Sequence, residues 1–281
     1  MTIPFIPALL IRRYIAGALL AFMAATSHAH AIEIITGKPV QGGMVIVKTT
    51  AGFSLSANGE PLMVTDDGYA VIGFHRDDTD TLILEAFSDG KPAQRLSMTP
   101  EHRTYKEQRI NGLPSKMVTP PEDVLARITR DRAIVGNARM HKTPITAFLG
   151  AFDWPVHGII TGVYGSRRIL NDEPRAPHYG IDIAAPAGTP VIAPQSGIIR
   201  MVDDLYYTGW TIIIDHGHGV SSTFLHLNDT SVTVGDKIQK GDVIGTVGST
   251  GRSTGPHLDW RINWFGKRLD PALLVGPMPA S

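Results

Sequence analysis

Two short segments in the C-terminal half pair a histidine with a carboxylate at spacings that bring side chains together. They are His178-Tyr-Gly-Ile-Asp182 and His257-Leu-Asp259, and Phe224-Leu-His226 adds a further imidazole. A helix would put positions four apart on one face, but Gly180, the β-branched Ile181 and Ile183, and Pro186 oppose a helix there. An extended strand returns to the same face at every second residue, so His178 and Asp182 can still point together. From residue 257 the alternation is clear. Leu258, Trp260, Ile262 and Trp264 form one apolar face, and His257, Asp259, Arg261 and Asn263 the other. An imidazole and a carboxylate from one segment, with a carboxylate and a second imidazole from the other, can build an open metal site. Three protein ligands with the fourth position left to water is the arrangement of a catalytic zinc centre. Any one of these pairs alone is more often a structural hydrogen bond; their order along the chain carries the reading.

Between the segments run Gly188-Thr-Pro-Val-Ile-Ala-Pro194, Ile212-Ile-Ile-Asp-His-Gly217, Val234-Gly-Asp-Lys-Ile-Gln-Lys-Gly241 and Ile244-Gly-Thr-Val-Gly-Ser-Thr-Gly251. In this combination the chain resembles the lysostaphin-like (LytM-type) zinc peptidases, which cut the peptide part of bacterial peptidoglycan. The resemblance covers about residues 152 to 274. It implies a mostly antiparallel β-sheet domain with one Zn2+ per chain at the floor of a cleft. It further implies His178, Asp182 and Asp259 as metal ligands, and His226 and His257 as unligated catalytic residues sharing proton transfer and oxyanion stabilisation.

One position departs from the family, which carries a His-x-His pair where this chain has His257-Leu-Asp259. Asp259 stands in the place of the usual third ligand. An Asp oxygen binds zinc, but it adds a negative charge to the ligand set. With His178 neutral and both Asp ionised the ion's charge is cancelled, and bound water is polarised less strongly. The rival reading is therefore a degenerate LytM-type domain that binds peptidoglycan or activates a cell-wall amidase. A biotinyl- or lipoyl-like module at residues 234–251 is disfavoured, because the stretch has no acceptor lysine motif.

The elements that must position these residues make an all-β chain. Residues 1–31 read as a secretory signal peptide: Arg12 and Arg13 precede an apolar run from Tyr14 to Ala25, and Ala29-His-Ala31 is a small-x-small cleavage site. The expected location is periplasmic or secreted, with cleavage after Ala31 and no stable membrane span afterwards. Residues 32–115 read as a small immunoglobulin-like β-sandwich. Its strands lie near 44–48, 69–74 and 81–87, with tight turns at Asn58-Gly59, Asp67-Gly68 and Asp89-Gly90. Residues 116–150 form a linker whose amphipathic helix starts at a capping box, Thr119-Pro-Pro-Glu122, and ends near Met140. Residues 151–281 form the metallopeptidase domain. It opens with strands at 158–161 and 163–164, and a polar loop from Leu170 to Pro177 leads into His178 as one wall of the groove. Asp215, His216 and His218 are assigned to turn geometry and hydrogen bonding, and His157, His75 and His102 to no site.

Composition narrows the function classes. The chain has 26 basic and 26 acidic residues, and loss of Arg12 and Arg13 with the leader leaves 24 against 26. That balance gives no electrostatic footprint for nucleic acid. The absence of cysteine excludes disulfides and thiolate metal sites. The expected partners are peptidoglycan peptides, with a cell-wall amidase in the rival reading.

Overall fold

In the computed structural model the described residues are Met1, 31–113 and 115–279. The expected export leader, residues 1–31, lies outside them apart from its two end residues. The N-terminal part is built from seven strands: β1 (Ile32–Thr36), β2 (Met44–Thr49), β3 (Ser54–Ala57), β4 (Glu60–Pro61), β5 (Tyr69–Gly73), β6 (Leu82–Ser88) and β7 (Lys91–Met98). They form two antiparallel sheets, β1-β2-β5 and β4-β3-β6-β7. The expected hairpin turns are present, with positive φ at Asn58, Gly59, Asp89 and Gly90. Val45, Val47, Ala70 and Ile72 face the second sheet across a shared core with Leu55, Leu84 and Ala86. The alternate residues Met44, Ile46 and Val71 turn the other way, into the C-terminal core. One sheet thus supplies apolar surface to both halves.

A short strand β8 (Glu107–Ile110) follows, then a single helical turn α1 (Ser115–Val118) and helix α2 (Leu125–Arg139). The helix lies where the sequence places it, but the capping box does not form: a 3-10 turn at Glu122–Val124 leads in, and no side chain caps either start. Three tertiary contacts hold the entry to α2. Tyr206 N–H donates to Asp131 Oδ2 (2.8 Å), Arg127 Nη2 donates to Asp204 O (2.9 Å), and Tyr206 O–H donates to Lys116 O (2.8 Å).

The C-terminal part contains β9 (Ile159–Gly162), β10 (Arg167–Leu170), β11 (Glu173–Arg175), β12 (Ile181–Ala184), β13 (Pro190–Ile192), β14 (Gly197–Leu205), β15 (Gly209–Gly217), β16 (Val220–Thr230), β17 (Lys237–Ile238), β18 (Val243–Val247), β19 (His257–Trp264) and β20 (Lys267–Leu269). Its main sheet runs β17-β14-β15-β16-β19-β12-β9, with β18, β13 and β20 attached at its side. The alternation read in β19 is realised. Leu258, Trp260 and Ile262 are fully buried in the main core, where Trp260 meets Trp154 edge-to-face at 5.9 Å.

Two local expectations are corrected. Val163-Tyr164 is not a strand; it sits in the turn after β9, where Gly165 has φ +83°. Residues 170–177 are not an open loop. They close a β10–β11 hairpin through Asn171 and Asp172, both at positive φ, and β8 pairs with β10 in parallel. Asn and Asp tolerate the left-handed region, so the polar composition that resembled a loop encodes a hairpin turn instead.

His216 lies inside β15 and is fully buried, its ring packed edge-on to Phe152 at 5.1 Å. Its Nδ1 donates to Ser196 O (2.8 Å) and its Nε2 accepts from Ser222 Oγ (2.7 Å), a neutral tautomer. Burial lowers its pKa to about 4, outweighing the Ser196 hydrogen bond and Asp215, which act to raise it. Because the folded pKa is depressed below the unfolded value, the unfolded chain takes up the proton first as pH falls. Stability is full above pH 6.5 and is lost as pH drops toward 4, by about 3 kcal/mol from this residue. Urea denaturation at pH 7 and near pH 4 should show His216→Gln losing about that much less stability than the native chain; equal losses would refute the assignment.

Candidate metal centre and its groove

The site is assembled by the antiparallel pairing of β12 with β19, whose register sets Asp182 directly opposite Asp259. Both carboxylates are buried, at 6% and 1% exposure. Two like charges facing each other across strands are unfavourable unless a cation separates them. His178 is held beside them. Its backbone N–H donates to Ser166 O (2.9 Å), and its carbonyl accepts from Gly165 N–H (2.7 Å). The turn that replaces the expected strand at 163–164 therefore positions the first histidine. His178 Nε2 lies 3.1 Å from Asp182 Oδ1, and its Nδ1 lies 4.0 Å from Asp259 Oδ2. One donor atom from each of His178, Asp182 and Asp259 falls within 4.8 Å of the others. Two glycines clear the space. A Cβ on Gly162 would lie 2.1 Å from Asp182 Oδ2, and one on Gly180 would lie 2.6 Å from Asp259 Oδ1.

Unsatisfied atoms define what this cluster can hold. Both ring nitrogens of His178 and Asp182 Oδ1 are buried without a hydrogen-bond partner. Buried polar atoms are rarely left so. A separation of 3.1 Å is what two ligands of one ion at about 2.0–2.1 Å present. An imidazole nitrogen and carboxylate oxygens are zinc donors, so the residues fit a metal ion.

The third ligand position is not bare. Arg261, two residues along the same face of β19, donates Nε to Asp259 Oδ1 (2.9 Å) and Nη2 to Oδ2 (2.5 Å). Arg168, from β10, donates Nη2 to Asp182 Oδ2 (2.6 Å). Burial pushes the Asp259 carboxyl up, but Arg261 foremost, and then His178, hold it far below the usual carboxylate range. Two carboxylates meet two guanidiniums, so the cluster is already charge-balanced before a dication enters. Each Asp259 oxygen keeps a lone pair for a metal, yet the ion must bind beside fixed positive charge. Sequence reasoning placed Arg261 on this face and gave it no role. Its spacing of two from Asp259 on a strand was the available signal; Arg168, brought in by the hairpin, left none.

His226 and His257 stand at the rim, ring centroids 4.8 Å apart. His226 has φ +64°, a conformation disfavoured for a side chain with a Cβ. It is pinned there by its N–H to Thr208 O (2.8 Å) and its ring Nδ1 to Thr250 O (2.7 Å). His257 Nδ1 lies 2.9 Å from Gly255 O. Carbonyls only accept, so each Nδ1 carries the proton and each Nε2 is left as the basic nitrogen. His257 Nε2 is 3.9 Å from Asp182 Oδ1. Burial first, and His257 second, lower the His226 pKa to about 4, keeping it neutral near pH 7. Asp182, His226 and His257 open into a groove of about 280 Å3 whose other walls include Gln108, Leu113, Arg168 and Arg252. Ile110 and Leu113 thus bring the end of β8 and the segment after it to the groove wall, and Arg252 Nη1 donates to Met117 O (3.2 Å). Asp215 accepts from Thr143, Arg200 and Gly217 N–H, far from metal chemistry. His157 is exposed.

Comparison with known proteins places this architecture. Residues 176–271 match the family described as Peptidase family M23. A solved structure assigned to peptidase M23, from Pseudomonas aeruginosa, superposes with a TM-score of 0.66 at 30% identity, covering 85% of this chain and 96% of that one. The chain belongs to peptidase family M23. Among curated relatives it is 38% identical over 106 residues to the peptidoglycan DD-endopeptidase ShyA of Vibrio cholerae, covering 38% of this chain and 25% of that protein. It is 42% identical over 102 residues to the DD-carboxypeptidase/endopeptidase Mpg of Neisseria meningitidis, covering 36% of this chain and 24% of that protein. The match spans about a quarter of the length of each.

The balance of charge around Asp259 sets an expectation. Arg261→Met leaves a buried carboxylate unpaired and should cost the metal-free protein about 3 kcal/mol. The same change should tighten zinc binding by about tenfold or more, because a positive charge beside the ion is gone. Calorimetric zinc titration and thermal melts check both. Equal zinc affinity in the two proteins would mean that Arg261 does not oppose the ion.

Proposed function

We propose that the protein is an exported, zinc-dependent endopeptidase that hydrolyses peptide cross-links or stem peptides of bacterial peptidoglycan, with one Zn2+ held by His178, Asp182 and Asp259. The observation that carries this is the buried trio with its unsatisfied donor atoms, set beside two imidazoles that each present a free Nε2 to the same groove. Zinc bound there would supply Lewis acidity toward a peptide carbonyl and make water a competent nucleophile near neutral pH. His226 and His257 share the remaining work: one accepts a proton at Nε2 and passes it to the leaving amine, and the other, once protonated at Nε2 as well as Nδ1, donates from Nε2 to the developing oxyanion. Neutral His226 is in the state a base requires. Arg252 places positive charge in the groove, which suits the free carboxylates of stem peptides. The relatives named for peptidoglycan endopeptidase activity support this reading.

A second reading is favoured by one observation, the bidentate Arg261–Asp259 pair. If that pair excludes the ion, the same groove serves as a non-catalytic binder of peptidoglycan or an activator of a cell-wall amidase. Digestion of purified sacculi separates the two. The enzyme releases peptide products in zinc, is stopped by a chelator, and loses about 100-fold or more of its rate in His226→Ala with fold and zinc affinity kept. A folded, zinc-supplied protein that binds sacculi and releases nothing would establish the second reading instead.

A further inference from the structure

A second cavity, lined by apolar side chains such as Ile128, Val135 and Leu225 together with basic ones, lies between helix α2 and the sheet. It offers about 150 Å3, where a single water needs about 10–15 Å3. Its walls hold Arg139 and Arg132 from α2, Arg261 from β19 and Arg268 from β20, against a single acid, Asp131. Asp131 is already engaged by Tyr206 N–H and Arg130. Arg261 is engaged by Asp259. Arg268 donates to the neutral Asn263 Oδ1 at 2.6 Å.

Arg139 is the telling residue. It is 8% exposed, and among the described residues it makes no hydrogen bond and no ion pair; its Nε is buried without a partner. Guanidinium cannot discharge itself by losing a proton, so its buried charge needs a counter-charge. Arg261 and Arg268, which share the cavity, only add to the repulsion. Thr223 Oγ1 on β16 accepts from Asn263 Nδ2 (3.2 Å), which leaves its own hydroxyl proton free to donate inward.

We propose that this cavity is a binding site for a small oxoanion of the phosphate type, held chiefly by Arg139 and Arg268. Planar guanidiniums lining one cavity can hold a tetrahedral oxoanion through paired N–H donors. The site is separate from the groove and does not depend on metal or on peptidase activity.

The test is a thermal melt and a calorimetric titration of the metal-free protein with inorganic phosphate, against sodium chloride at matched ionic strength. Phosphate should bind with a stoichiometry of one per chain and raise the unfolding midpoint by several degrees beyond the salt control. Arg139→Met should abolish both responses and remain folded, since it removes an uncompensated buried charge. Arg252→Met, in the groove, should leave both unchanged. No phosphate-specific response, or a response that survives in Arg139→Met, would overturn the proposal. So would its loss in Arg252→Met alone, which would put the anion in the groove.

Discussion

Two buried carboxylates facing each other across adjacent strands are the constraint around which this protein is arranged. The register of β12 on β19 leaves Asp182 and Asp259 no freedom to separate. Positive charge has to be brought to them, and the fold brings it from three directions. Arg261 comes along the same strand face, Arg168 comes from the β10–β11 hairpin, and donor atoms of His178, Asp182 and Asp259 lie close enough together to share one ion. Ligand geometry and charge therefore pull in different directions. The unsatisfied nitrogens of His178 call for a metal, while the two guanidiniums already balance the acids.

The scaffold explains why such a costly cluster persists. β19 carries its fully apolar edge into the main core, where Leu258, Trp260 and Ile262 anchor it. Its other edge aligns His257, Asp259, Arg261 and Asn263 in a row. That row runs from the groove, through the acid cluster, to the arginine-lined cavity under α2. The N-terminal sheet backs the same core through Met44, Ile46 and Val71. Rigid packing on one side holds polar groups in place on the other, which is how strain such as the positive φ of His226 is sustained.

Much of this was legible in the sequence, because strands and turns announce themselves locally. The period-two pattern of 257–264 fixed both faces of β19, and Asn58-Gly59 and Asp89-Gly90 marked hairpins that formed. The convergence of His178, Asp182 and Asp259 was legible from motif order. What escaped were interactions made only in three dimensions. The polar run 170–177 looked like a loop because Asn171 and Asp172 serve equally in loops and in tight hairpin turns. The box at Thr119 went unused because α2 is fixed by contacts from Asp131, Arg127 and Lys116 to β14 and the turn beyond it, which no local signal encodes. Arg261 had only its place on the polar face of β19 and Arg168 had no signal at all; the pairing of β12 with β19 reveals the acids they neutralise.

Acceptance of a metal by the trio, despite its arginines, decides between the two readings. Crystals grown with zinc and measured on both sides of the zinc absorption edge test it directly. One anomalous peak per chain is expected, bounded by His178, Asp182 Oδ1 and an Asp259 oxygen. An absence of density there, with Arg261 still bidentate on Asp259, would contradict it.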